Sequence, residues 1–498
     1  MPSLPMSHCV VATEPQGATI GRATGAVLLI AALLRGLALW WYGEHLAEDP
    51  DAYRQIAGQL ATGHGFAFGP QSGPTAYRPL LYPCLVAAGH WLGAGDERFL
   101  QFWIGGIQLG LGLLTVLLTM AVGRRLGLGR LATLAGLLVA IDPLLVYGVS
   151  QVMTETLATF LWVFALWSWL RARSRWGWLA TGIACGLCVL CRPTFWASGV
   201  LTVVGWLLFS RLRKNRPSIW GGSRNRASGE ERGVAGVHQD QSGRSPWLAA
   251  WGSRPFVLIG LGFALAVLPW VGRNILAFGK PILTTTHGGY TLLLPHNPFY
   301  TRAVVDQPWG AVWEVDADGE WHDWLQRHLA QEHPPIDVGH HSPENELRRD
   351  RLMNRMALDY VAAEPGIAVR AAVTLLGRFW SLVPQGAPGR SVPPALSWGI
   401  GGYYLVVFLA ALAGCARLKG DAWGAWWPAL ALVASFTAVH AIYWADMRMR
   451  APLMPVLCLL AVRSWLRDST PVPSGTDSRL TRIALCPPAQ AGGKEGVG

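Results

Sequence analysis

Ten apolar runs, each of 16–23 residues, recur along this sequence at about 22–42, 99–121, 130–149, 155–171, 176–192, 195–210, 255–272, 396–415, 423–443 and 449–466. At 1.5 Å per residue, about 20 residues cover the roughly 30 Å of a bilayer core. A backbone in that medium has no water to bond to and satisfies itself as helix. The pattern therefore predicts an all-α polytopic membrane protein of ten to twelve transmembrane helices. Composition agrees: 14% of residues are charged, against about 25% in soluble domains. The 26 Trp residues fit a chain with many membrane–water boundaries, where Trp is enriched.

The net charge of +11 would point to nucleic acid in a soluble protein. Here it is accounted for by basic cytoplasmic loops, and no nucleic-acid partner is expected. Residues 1–20 have neither a basic n-region nor an apolar h-region, so no cleavable signal is expected and the run 22–42 should stay as an anchor. Cys185, Cys188 and Cys191 have the spacing of part of an iron–sulfur motif, but Arg192-Pro193-Thr194 follows where a fourth ligand would stand. They read as small residues packed between helices.

The run 79–93 is too short to span: 15 residues, interrupted by Pro79 and Pro83, reach only about 22 Å. If it does not cross, Arg124, Arg125 and Arg130 fall on the same side as Arg171, Arg173, Arg175, Arg417, Lys419, Arg463 and Arg467. The positive-inside rule then makes that side cytoplasmic and 79–93 an interfacial or re-entrant segment. Loop 211–254, with nine Arg/Lys against Glu230, Glu231 and Asp240, joins it as a flexible basic linker facing anionic lipid. The predicted organisation is a cytoplasmic N-terminus (1–21), a transmembrane catalytic module (22–272) with an outer loop 43–98, an extracytoplasmic cap (273–395), C-terminal spans (396–466) and a disordered tail (467–498). The cap should be small and α or α+β, with a helix near 344–363 and an amphipathic segment at 366–383.

Polar chemistry then gathers on the outer face. Asp49-Pro50 resembles a helix start, with Asp as cap and Pro at the first helical position, ahead of an apolar face formed by Tyr53, Ile56 and Leu60. Glu48 and Asp51 add more acid than a cap requires. Arg78 stands where the chain returns to the membrane, and a guanidinium is well shaped to hold a phosphate. Glu155 opens a span, and a carboxylate at membrane depth is by default a functional hypothesis; Asp142 is a weaker candidate of the same kind. Arg192, Arg448 and Arg450, beside Asp446, put further arginines at outer helix ends. So many outward arginines go against the charge rule, and an anionic headgroup would explain them. His296 and Asn297 are turn residues within reach of a substrate. The histidines of the cap lack metal-ligand spacing, and no Walker loop or dinucleotide fingerprint is present.

Taken together, Asp49-x-x-x-Tyr53 with Gly63-His64-Gly65, Arg78-Pro79-Leu80-Leu81-Tyr82-Pro83, Thr154-Glu155, Cys191-Arg192-Pro193-Thr194, His287-Gly288-Gly289 and Asp446-x-Arg448-x-Arg450-x-Pro452 resemble the polytopic GT-C glycosyltransferases. The likeness is greatest to glycosyltransferase family 39, with the protein O-mannosyltransferases and the lipid A aminoarabinose transferase among its relatives. The resemblance implies a polyprenyl phosphate-linked sugar donor, an outer-face active site in the plasma (inner) membrane, interfacial helices in the first outer loop and a catalytic acid at Asp49. The acidic motif reads Glu-Asp-Pro-Asp where the family has Asp-Glu, so the choice between Asp49 and Asp51 stays open.

The function expected from this reading is inverting transfer of a sugar to an acceptor hydroxyl on a lipid, glycan or protein. Asp49 would be the general base and Asp51 its alternative, with Glu155 orienting a substrate. Arg78, Arg192, Arg448 and Arg450 would face the departing phosphate, and Tyr53, Tyr82, His296, Asn297 and Asp446 would contact substrate. No metal ligands are assigned, and assistance by a divalent ion is left open. The rival is a transporter or flippase for an anionic lipid or lipid-linked sugar, using the same charges as a pathway.

Overall fold

The computed structural model describes residues 16–214, 253–313, 319–337, 341–386, 389, 392–420 and 422–466. Nearly all of the basic loop 211–254 and the tail 467–498 lie outside the described residues. Those up to Ser464 belong to one compact unit.

The helices are α1 (Gln16–Tyr42), α2 (Tyr53–Ala61), α3 (Leu81–Leu92), α4 (Glu97–Arg125), α5 (Leu131–Ile141), α6 (Pro143–Tyr147), α7 (Glu155–Arg171), α8 (Arg175–Cys191), α9 (Phe195–Lys214), α10 (Ser253–Phe278), α11 (Gly288–Leu293), α12 (Glu320–Gln331), α13 (Pro343–Ala363), α14 (Pro365–Phe379), α15 (Pro394–Ala416), α16 (Ala422–Val439) and α17 (Met454–Arg463). Among the described residues there is no strand, only an isolated bridge between Ala67 and Pro74, and those of the stretch 273–395 form helices and turns.

Among the described residues five helices are long and apolar enough to cross a membrane: the one spanning Gly21–Ala47, with α4, α10, α15 and α16; the bent pair α5–α6 adds a sixth candidate. Shorter apolar helices, α8 among them, accompany these, and the chain is a multi-pass membrane protein. α7 and α17 are surrounded on most sides, with Glu155 and the whole run from Met454 to Val462 buried. The 12-residue α3 packs along α2 and against α4, and the indole Nε1 of Trp103 on α4 donates to the Leu85 carbonyl at 3.0 Å.

Local chemistry sets the helix boundaries. Asp96 caps α4 by accepting from the Phe99 N–H at 2.6 Å, Ser174 caps α8 through Gly177, and Ser342 caps α13 with Pro343 at the first position. The break between α5 and α6 falls at Asp142-Pro143, and Asp142 caps the second piece through Leu145 N–H. Proline cannot continue the ladder, so the last carbonyls of α5 lose their partners. Arg35 of α1, fully enclosed, supplies them: its guanidinium donates to the Ala140 carbonyl at 2.9 Å and the Val139 carbonyl at 3.2 Å.

α8 and α10 touch backbone to backbone. A Cβ on Gly182 would lie 2.1 Å from the Ile259 carbonyl oxygen, and one on Gly262 would lie 2.1 Å from that of Leu179. Small residues permit this approach between membrane helices. Gly182→Leu is expected to force the pair apart at a cost of about 1–3 kcal/mol, read as a lower midpoint of thermal unfolding in detergent. An unchanged midpoint would mean that the crossing tolerates separation.

Alternation of direction through the bundle gathers the C-terminal ends of α1, α5, α8, α10 and α16 with the N-terminal ends of α4, α7, α9, α15 and α17. α2, α3 and the segment from α11 to α14 cover that end.

Candidate active site

The acidic stretch departs from a simple cap-plus-proline start. Ala52 adopts a left-handed conformation with φ 58°, which inserts a turn between Pro50 and α2. Asp49 still serves the helix from below that turn: its two oxygens accept from the backbone N–H of Arg54 at 3.0 Å and of Gln55 at 2.8 Å. The same turn swings Asp51 toward the returning chain. There its Oδ1 accepts from Arg78 Nη2 at 2.7 Å, and its backbone carbonyl accepts from Arg78 Nε at 2.7 Å.

Arg78 is held on all sides. Its guanidinium lies 5.4 Å from the Tyr53 ring centroid and 4.9 Å from that of Tyr77, and its Nη1 is 3.3 Å from His287 Nε2. Burial, reinforced by Arg78 and Arg349, pushes His287 well below the usual imidazole range, so the neutral ring accepts from Arg78. Burial opposes the charge on Arg78, but Asp51 with Tyr53, Tyr77 and Tyr290 holds it above the ordinary arginine value.

Glu155 is the first residue of α7, where the helix dipole favours an acid. Its side chain is 9% exposed and lies 3.6 Å from Arg192, at the end of α8, and 4.0 Å from Arg448. Arg448 belongs to a 3-10 turn, Met447–Leu453, that precedes α17. Asp446 caps that turn through the Arg448 N–H at 2.9 Å and accepts from Arg448 Nε at 3.0 Å, which aims the guanidinium. The charges of Asp446, Glu155 and Asp51 all act on Arg448, and those of Arg78, Asp51, Glu155 and Arg192 all act on the Tyr53 phenol. Two buried polar atoms here, Glu155 Oε2 and Arg192 Nη1, have no hydrogen-bond partner. Such atoms normally find partners, and each costs about 1–3 kcal/mol when it does not.

Asp51, Tyr53, Arg78, Glu155, Arg192, Asp446 and Arg448 are therefore brought together. Tyr82 joins them, its ring edge-on to Tyr53 at 5.1 Å. The remaining candidates are placed otherwise. Arg450, two residues from Arg448, turns the other way and is wholly enclosed: it donates to the Phe379 carbonyl at 2.9 Å and the Ser381 carbonyl at 2.5 Å, and lies over the Tyr404 ring at 4.4 Å. Asp142 accepts from both Tyr403 and Tyr404 hydroxyls at the helix break. Asn297 caps a local turn through the Tyr300 N–H and gives its amide to the Leu293 and Leu294 carbonyls, and His296 bonds the Leu292 carbonyl. Cys191 is buried against the Thr154 carbonyl.

Several residues at this end of the bundle escaped the sequence reading. Glu346 of α13, buried, accepts from Thr75 Oγ1 at 2.6 Å, Ala76 N–H at 2.9 Å and Thr286 Oγ1, pinning the strand of chain that carries Tyr77 and Arg78. Asp350 accepts from the Gly289 N–H at 2.7 Å, fixing the turn that carries His287. Glu346, Arg349 and Asp350 recur at i, i+3 and i+4, which puts them on one helix face; that spacing was the available signal. No group of three or more His, Cys, Asp or Glu side chains among the described residues is arranged to hold a metal ion.

The arrangement interleaves carboxylates with guanidiniums around unsatisfied buried atoms, a setting suited to an anionic group beside a base. Residues 79–222 match the family model described as dolichyl-phosphate-mannose-protein mannosyltransferase. The matched segment contains Glu155 and Arg192 and starts one residue after Arg78. No curated protein matches the chain significantly in sequence.

Among solved structures, the chain resembles the oligosaccharyltransferase of Archaeoglobus fulgidus tethered to an acceptor peptide, at 13% identity and TM-score 0.46 over 89% of this chain and 49% of that one. The same enzyme, AglB, with an inhibitory peptide and dolichol-phosphate, gives 15% identity and TM-score 0.46 over 89% and 50%. ArnT from Cupriavidus metallidurans bound to undecaprenyl phosphate gives 14% identity and TM-score 0.33 over 89% and 78%. The chain spans about half the length of the archaeal enzyme.

Proposed function

We propose that the chain transfers a sugar from a polyprenyl phosphate-linked donor to an acceptor hydroxyl on a lipid, glycan or protein, at the extracytoplasmic face of the plasma membrane. The observation that carries this reading is the buried Glu155–Arg192 pair, each with one unpartnered atom and flanked by Arg448, inside a GT-C segment. A phosphate oxygen is a natural partner for the orphaned guanidinium N–H, and a sugar or acceptor hydroxyl for the orphaned carboxylate oxygen.

Asp51 takes the base role in this mechanism. Both Asp49 oxygens are committed to helix N–H groups, whereas Asp51 has only Oδ1 engaged, by Arg78. Asp51 removes the acceptor proton, and the oxygen attacks the anomeric carbon from the face opposite the phosphate. The anomeric C–O bond breaks, and the lipid phosphate leaves with the electron pair. Arg192 and Arg448 neutralise the leaving phosphate, with Arg78 behind Asp51. Arg450 is assigned to structure, and Asp446 to positioning Arg448.

Purified protein incubated with a panel of polyprenyl phosphate sugars and mixed acceptors is expected to release free polyprenyl phosphate. No release with any donor, accompanied by movement of labelled lipid across vesicle bilayers, would replace the reading by a flippase. Arg450→Met, which leaves two carbonyls without their donor, is expected to cost about 1–3 kcal/mol of stability while donor affinity holds in the fraction that folds. Weakened donor affinity in folded Arg450→Met would return that residue to the phosphate site.

A further inference from the structure

Tyr77, the residue before Arg78, lines a cavity of about 180 Å³ that the transfer centre does not use. α12 and α13 form two of its walls, and the chain around Tyr77 and Thr286–Tyr290 forms the rest. Its lining divides in two. Leu325, Leu329 and Met353, with the rings of Tyr77 and Tyr290, give apolar surface; Arg349, Asp350, Gln326, His322 and Thr286 give hydrogen-bonding groups. The volume falls below the roughly 300 Å³ at which pockets begin to take drug-sized ligands, leaving room for one six-membered ring with its substituents. One guanidinium and one carboxylate cancel in charge, so the lining does not select a dianion. A ring with C–H faces and hydroxyl edges satisfies both halves of it.

We propose that this cavity binds one neutral saccharide ring of the acceptor, next to the hydroxyl that is glycosylated. Tyr77 links the two places: its ring lines the cavity, while its neighbour Arg78 grips Asp51. Its ring also meets His287 at 4.2 Å, and His287 in turn contacts Arg78. A sugar seated on Tyr77 therefore lies one residue from the arginine that holds the base. The inference rests on the transfer reading for the word acceptor, and on the cavity alone for the saccharide.

The test uses saturation-transfer NMR on the purified full-length protein with methyl α-D-mannopyranoside, methyl β-D-glucopyranoside, methyl β-D-galactopyranoside and the methyl glycoside of N-acetylglucosamine. At least one is expected to bind. Gln326→Trp, which fills the cavity from a half-buried position, and Arg349→Met, which removes its cation, are each expected to weaken that binding at least about tenfold. Arg124→Gln, at the C-terminal end of α4 and away from the cavity, is expected to leave it within about twofold, and inorganic phosphate is expected not to compete. Undiminished binding in both cavity variants, competition by phosphate, or turnover of donor without binding of any glycoside would overturn the subsite alone. Glycoside binding lost in both variants, in a protein that turns over no lipid phosphate sugar, would overturn the transfer reading and reduce the cavity to a lectin-like site.

Discussion

Asp51→Asn is expected to lower sugar transfer by about 10²–10⁴-fold, the usual contribution of a positioned general base, while Asp49→Asn leaves it within a few-fold. The contrast follows from what each carboxylate does. Asp49 accepts two backbone N–H bonds at the start of α2, and an asparagine caps a helix about as well as an aspartate. Asp51 presents one oxygen to Arg78 and keeps its charge near Arg448 and Tyr53. Asparagine keeps its shape and loses its basicity. The measurement is release of polyprenyl phosphate by each purified variant. An inactive Asp49→Asn beside an active Asp51→Asn would hand the base role back to the capping residue.

Arg192→Gln is expected to do two separable things. It leaves the Glu155 carboxylate buried with only the more distant Arg448 for company, at a cost of several kcal/mol in stability, and it removes a cation from the leaving phosphate, lowering turnover by about 10²-fold or more. The double variant Arg192→Gln/Glu155→Gln takes out both charges. Its thermal midpoint should recover toward wild type, since an ion pair replaced as a pair costs little, while transfer stays lost. Recovery of turnover together with stability would show the pair to be scaffolding and sink its part in the chemistry.

The helical, apolar architecture was legible because hydrocarbon imposes length and apolarity on any segment that crosses it. α13 and α14 were likewise visible as a helix near 344–363 and an amphipathic segment at 366–383. The acids were harder. Asp49 and Asp51 are two residues apart, and what separates them is a single left-handed residue, Ala52, which an alanine does not advertise. Arg448 and Arg450 look equivalent in sequence, yet in a 3-10 turn of about three residues each a two-residue step sends one toward Glu155 and the other toward the Phe379 and Ser381 carbonyls. His296 and Asn297 were drawn away by local backbone, the ordinary competition for such side chains. Arg35 gave no signal at all, because its partners are carbonyls exposed by a helix break more than a hundred residues away.

Glu346 makes the segment from α11 to α14 exchangeable in a particular way. Through one carboxylate, α13 grips Thr75, Ala76 and Thr286, and through Asp350 it holds the turn that carries His287 beside Arg78. Residues around the saccharide cavity can then diverge while the transfer centre keeps its shape. A chimera that grafts a foreign cap onto this bundle should preserve the chemistry when its helix presents a carboxylate at the position of Glu346, and should mis-set Arg78 when it does not. Specificity and catalysis would then evolve as modules joined chiefly through the carboxylates of α13.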